Sequence, residues 1–228
     1  MKKFLALSIA ISCSAADWTC AAGEQRHEKI LSVKSVASLQ LVIKRKLGNE
    51  PLSAPVMVGG LVTNRGIKDL VFISGGGTVY AVDSDLGTLF WQRQVAGTPL
   101  LGPRGDDSDD EDYLSTDVRP LFLRPPSGKT VTLNAGSGAE LATPNPIPAC
   151  KRYRVDTAVA NGVRFELVNS RAVPVLRAVA ASDGRELFNS GNQIEAPVDS
   201  SGLAIANGHV CFGDTAGTLY CFGFPIDL

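Results

Sequence analysis

One unit of sequence recurs along this 228-residue chain, and it limits the fold more than any other feature. The clearest copy is Ala81-Val82-Asp83-Ser84-Asp85-Leu86-Gly87-Thr88-Leu89-Phe90-Trp91. With Gly87 as anchor, Thr132 to Leu141 aligns on Gly138, and Ala178 to Phe188 aligns on Gly184. Copies about fifty residues apart with strand-like flanks mark a stacked β array such as a propeller.

Each copy reads as a meander of short strands. Ala54-Pro55-Val56-Met57-Val58 opens an inner strand and Asp69 to Ile73 a second, β-branched one. Ser74-Gly75-Gly76-Gly77 is a hairpin turn, because glycine tolerates positive φ. Thr78 to Val82 is a third strand, Asp83 to Gly87 a polar turn, and Thr88 to Arg93 a fourth. Four meandering strands make one propeller blade. The last copy repeats the pattern: Ala196-Pro197-Val198 matches Ala54-Pro55-Val56, and Gly217-Thr218-Leu219-Tyr220-Cys221-Phe222 is a third strand with no fourth behind it. Leu39 to Lys46 resembles the fourth strand Thr88 to Gln94. Pairing it with the last copy would close the ring, hide two sheet edges and set Val42 beside Tyr220.

The expected fold is therefore all-β: a small propeller of about four four-stranded blades, closed by the N-terminal strand. Repeat units fall near 54–94, 118–142, 157–188 and 196–222, with the closing strand at 39–46. Worn copies lie in the middle, where Pro174 is confined to a strand start. Gly102 to Ser115 and the proline-rich Ala142 to Arg152 read as surface loops. No segment past residue 16 shows sustained helical periodicity.

Residues 1–16 read as an export signal: Lys2 and Lys3, the apolar run Phe4 to Ile11, then Ser14-Ala15-Ala16 before a cleavage point at Asp17. Residues 17–38 form an N-terminal segment ahead of the propeller. The run is too short to span a bilayer, and Ala10-Ile11-Ser12 is a poor lipobox for Cys13. A periplasmic or extracellular location permits disulfides among Cys20, Cys150, Cys211 and Cys221. Cys211 and Cys221 lie on two arms of one hairpin; spacing alone leaves open whether they face each other.

Composition narrows the chemistry. A net charge of −1 gives no basic field for nucleic acid. There is no C-x-x-C pair, and His27 and His209 are the only histidines. The run Asp106-Asp107-Ser108-Asp109-Asp110-Glu111-Asp112 could offer calcium ligands at Asp106, Ser108, Asp110 and Asp112. Glu111 stands where an EF-hand turn needs glycine, so a solvated charge run is the plainer reading. Lys44 and Lys46 share one face of their strand, expected to meet solvent. Gly75-Gly76-Gly77 lacks the Lys-Ser/Thr and helix of a phosphate loop, and Gly136-Ser137-Gly138 lacks the spacing of a nucleophile elbow.

The pattern Ala81-x-Asp83-x-x-x-Gly87-x-x-x-Trp91 resembles the A-x-D-x-x-T-G-x-x-x-W repeat of pyrroloquinoline-quinone-type propellers, with Leu86 in place of Thr. Gly202 to Gly223 looks like the closing blade of exported bacterial members of that group, and Asp17-Trp18 with Gln25-Arg26 like a degraded form of their opening. The resemblance implies seven or eight blades, a tryptophan packed between neighbouring blades, and an Asp–Gly turn held by hydrogen bonds. Asp83, Gly87, Trp91, Gly138, Gly184, Gly217 and Tyr220 are the structural positions it marks. Later copies carry Asn134 and Ala180 for the Asp, and Ala142 and Phe188 for the Trp. Its enzymes imply bound quinone (PQQ), calcium, an Asp base, an aromatic floor and an adjacent Cys pair. Only Trp18 and Trp91 could serve as a tryptophan floor, and no adjacent Cys pair exists. The expectation is a non-catalytic binding or scaffold module, for a protein or small-molecule ligand. The rivals are a quinone-dependent alcohol dehydrogenase or its remnant, and an outer-membrane assembly scaffold.

Overall fold

A computed structural model describes residues 30–101, 119–124, 129–142, 157–169, 173–198 and 202–225. They build four antiparallel sheets of four strands, a small four-bladed β-propeller. Strand β1 (Gln40–Lys46) is followed by the first blade, β2 (Val56–Thr63), β3 (Gly66–Gly75), β4 (Thr78–Asp83) and β5 (Leu89–Gln94), in that spatial order. The second holds β6 (Thr98–Leu101), β7 (Pro120–Arg124), β8 (Val131–Asn134) and β9 (Glu140–Leu141). The third holds β10 (Thr157–Ala160), β11 (Val163–Asn169), β12 (Pro174–Ala180) and β13 (Glu186–Asn189). The fourth takes β14 (Ala204–Ala206), β15 (His209–Gly213) and β16 (Thr218–Gly223), and its outer strand is β1 (Gln40–Lys46).

The first strand among the described residues thus completes the fourth blade. Ile43 pairs with Cys221 and Lys44 with Tyr220, and a bulge at Val42 shifts the register between Leu41 and Ile43. A bulge lets one strand bend without losing its ladder. The only helical element among the described residues is the 3-10 turn Val36–Ser38. Ahead of it, the Asn161 side-chain amide donates to the Leu31 carbonyl at 2.7 Å, so the N-terminal segment is tied to the third blade.

Burial follows strand position. The central strands β4 and β16 are buried along almost their whole length. They carry neighbours on both edges and other blades on both faces, which suits their runs of Val, Ala, Leu and aromatic residues. Phe212, Tyr220 and Phe222 are fully buried, and Phe212 stacks on each of the other two rings at 5.6 and 6.1 Å. One core cluster joins the third, fourth and first blades, and a second joins the first and second.

Cys211 and Cys221 lie directly opposite each other on β15 and β16 and form a disulfide, Cα to Cα 4.1 Å. The link is short in sequence, so it removes modest entropy from the unfolded chain. Reduction is expected to cost about 2 kcal/mol, read as a lower urea midpoint in the presence of a thiol reductant at unchanged m-value.

Candidate functional site

The turn before the outer strand repeats one construction in the first three blades. In the first blade the Asp83 carboxylate accepts from the Asp85 and Leu86 backbone N–H groups at 3.0 and 3.1 Å. Gly87 takes φ +66 and donates back to the Asp83 carbonyl. Asn134 does the same work in the second blade, accepting from the Ser137 N–H at 3.0 Å. In the third, Ala180 has no such group, and Asp183 accepts from the Arg185 N–H instead. The turn therefore survives the change from Asp to Asn and then to Ala, because neighbouring residues supply the acceptor.

Trp91 wedges between the first two blades. Its indole N–H donates to the Ala135 carbonyl at 2.9 Å, and its ring lies against Gly138 so closely that a Cβ there would meet it at 3.0 Å. Phe72 packs on its other side, ring centroids 5.7 Å apart. By register Trp91 stands opposite Ala81, Phe188 opposite Ala178 and Ile43 opposite Cys221. Phe188 meets Phe222 of the fourth blade, and Ile43 lies over Gly87 of the first. One wedge position thus serves three blade junctions. In the second blade it is Leu141 that stands opposite Thr132, because β8 and β9 lack the bulge of the other pairs. The alignment that put Ala142 in that place runs one residue too far.

The closing blade carries the densest polar network. Asp214 accepts from the Ala216 and Thr218 N–H groups at 3.0 and 2.7 Å and from the Tyr220 hydroxyl at 3.2 Å. The Tyr220 oxygen accepts in turn from the Glu195 N–H. Burial, with the Asp214 carboxylate nearby, pushes the Tyr220 hydroxyl above its ordinary range. Glu195 pairs with Lys44, Lys46 donates to the Ala216 carbonyl, and Arg45 donates to the Gly87 carbonyl at 2.9 Å. The basic trio of β1 is thus a set of ties: Lys44 to residue 195, Lys46 across its own blade, Arg45 to the next. Asp214 was invisible to repeat matching because the first blade has Ser74-Gly75-Gly76 at the equivalent corner. The only hint is an Asp three residues ahead of Gly217, a common turn spacing.

A second polar group gathers at the opposite rim. Lys68 pairs with Asp83 at 2.9 Å, and Asp69 accepts from the Gly60 N–H at 2.6 Å. Desolvation, then repulsion from Asp69, raises the Asp85 carboxyl above its usual range, with His209 opposing. The folded state therefore favours protonated Asp85, so this group's contribution improves as pH falls through its folded pKa and is unfavourable at neutral pH. Asp85→Asn is expected to raise the melting temperature slightly at pH 7, with a gain that shrinks on acidification. The side chain is largely exposed, which keeps the effect small.

Among the described residues no group of three or more His, Cys, Asp or Glu side chains is placed to hold a metal ion. The acidic positions Asp106, Ser108, Asp110 and Asp112 lie outside the described residues, as do Trp18, Cys20 and Cys150. Quinone chemistry does not fit the described residues. Trp91 is committed to a blade junction, Asp83 and Asp214 to their own turns, and the two bonded cysteines face each other across strands rather than adjoining in sequence. No helix among the described residues is long and apolar enough to cross a membrane.

These features define a β-propeller closed by a donated strand. No protein-family model matches the sequence, and no curated protein does. Among solved structures the chain is similar to a europium-containing methanol dehydrogenase, at 13% identity and TM-score 0.35 over 76% of this chain and 31% of that one. It is similar also to the quinohemoprotein alcohol dehydrogenase ADHIIG from Pseudomonas putida HK5, at 15% identity and TM-score 0.36 over 76% of this chain and 26% of that one. A third is BamB from Moraxella catarrhalis, at 10% identity and TM-score 0.17 over 82% of this chain and 100% of that one. The chain thus spans under a third of the length of either dehydrogenase.

Proposed function

We propose that this protein is an exported, non-catalytic β-propeller whose ring binds a protein or a small ligand. The supporting observation is where the carboxylates go. Asp83 and Asp214 are spent on the backbone N–H groups of their own turns, and Asp83 is further neutralised by Lys68. An acid already saturated by its own loop has little left with which to move a substrate proton. Export is supported by the leader-like residues 1–16 and by the Cys211–Cys221 disulfide, a bond that persists in oxidising compartments.

The test adds pyrroloquinoline quinone and calcium to the purified mature protein. The expected result is no change in melting temperature and no dye-linked alcohol oxidation. Turnover that disappears on chelation would replace this reading with the oxidoreductase one. Mass analysis of exported protein should give a chain beginning at Asp17.

A further inference from the structure

We propose that the Cys211–Cys221 disulfide is a redox latch on the seam where the ring closes, open to small dithiols only when the fourth and first blades part. The two faces of the fourth blade do different work. Phe212, Tyr220 and Phe222 line one face, and Phe222 meets Phe188 of the third blade there. Ile43, Cys221, Cys211 and Ala204 form one cross-strand row on the other face. Residues directly opposite in antiparallel strands share a face. That face looks at the first blade. Ile43 lies over Gly87, and a Cβ on Gly213, two residues along from Cys211, would run into Leu52 and Ile73.

Every member of the row is buried, and both cysteines are 0% exposed. Ladder pairing on both edges of β15 and β16 closes the sides, and the first blade closes the top. A thiolate must reach a sulfur in line with the bond it breaks, so access and not bond strength limits reduction here. The seam also has the lightest wedge of the three junctions that share that position. Trp91 and Phe188 bring rings to the other two, whereas Ile43 brings an aliphatic side chain. A polar tie crosses beside it, from Arg45 to the Gly87 carbonyl at 2.9 Å.

The chemistry is thiol–disulfide exchange with a dithiol. One thiolate of the reductant attacks one of the two sulfurs, forming a mixed disulfide and releasing the other cysteine as a thiolate. The second thiolate of the reductant then displaces the first cysteine and leaves as a cyclic disulfide. Two electrons pass to Cys211 and Cys221, which take up two protons. Two thiols in contact need more room than a bonded sulfur pair, and a fully buried row has none to give. Reduction therefore pushes the seam apart, and a closed seam in turn protects the bond, as reciprocal coupling requires. The latch does not depend on the ligand-binding role proposed above.

Reduction of the purified mature protein by dithiothreitol, quenched by thiol alkylation, is the test. No Lys or Arg follows Arg185, so one tryptic peptide carries both cysteines and its mass with two blocked thiols reports this bond alone. The expected rate is on the order of a hundredfold slower in native than in urea-unfolded protein, the protection given by a local opening. Ile43→Ala should speed native reduction by about tenfold, whereas Phe188→Ala, at the blade's other face, should leave it within about twofold. A native rate equal to the unfolded one overturns the proposal. So does equal acceleration by both substitutions, which would make global unfolding the route, or no acceleration by Ile43→Ala. Hydrogen exchange of the protein with this bond reduced reads the reverse coupling: residues 43–52 should exchange about tenfold faster and residues 163–169 at the parent rate. A uniform rise, or none, would also count against the latch.

Discussion

Trp91→Ala is expected to destabilise the propeller by about 3 kcal/mol, toward the low end for deleting a large aromatic because the ring is only partly buried. Two losses combine. The ring leaves a gap between Phe72 and Gly138, and the Ala135 carbonyl loses its indole donor. Neither neighbour can move in readily, since Gly138 is fixed in a turn at φ +70. Trp91→Phe should recover the packing but not the hydrogen bond, leaving about 1 kcal/mol unrecovered. Urea unfolding of the parent and both variants measures this. Equal destabilisation by Ala and Phe would mean that the indole N–H, and not the wedge, holds the first two blades together.

Gly217→Ala should cost about 4 kcal/mol, from a left-handed backbone and a clash that cannot be relieved locally. Gly217 has φ +90, and a Cβ there would sit 2.5 Å from the Gly48 carbonyl oxygen and 3.0 Å from that of Glu50. Both atoms are backbone, so no side chain can rotate away. The same residue accepts hydrogen bonds from the Leu47 and Gly48 N–H groups. Separating the two segments would pull the exit of β1 off the fourth blade. Gly66→Ala is the control: φ is +92 but nothing lies within 4 Å, so only the conformational cost of about 1–2 kcal/mol remains. If the two variants melt alike, the close approach at Gly217 is not a constraint on ring closure.

Repeat spacing and strand alternation carried most of the fold. The pairing of Leu39–Lys46 with the last blade was readable because Leu39–Lys46 resembles the fourth strand Thr88–Gln94 and the final repeat lacked one. Strand ends were less legible. The inner strand of the second blade, Thr98–Leu101, sits between the first repeat and the Gly102–Ser115 stretch, where only four residues carry the pattern. The wedge residue of that blade was misplaced by one because a bulge is a backbone event that spacing does not register. The polar ties were least visible. Lys44 to Glu195 and Asn161 to Leu31 join residues far apart along the chain, and repeat matching compares only residues in the same phase.

Borrowing the outer strand of the last blade from the start of the chain has a cost in time. This strand must wait for a docking edge some 170 residues downstream, so it cannot be secured until that edge has been synthesised. During that interval two unpaired edges coexist on one molecule, each a template for the wrong neighbour. Slowed folding should therefore yield aggregates in which one molecule's outer ribbon completes another molecule's ring.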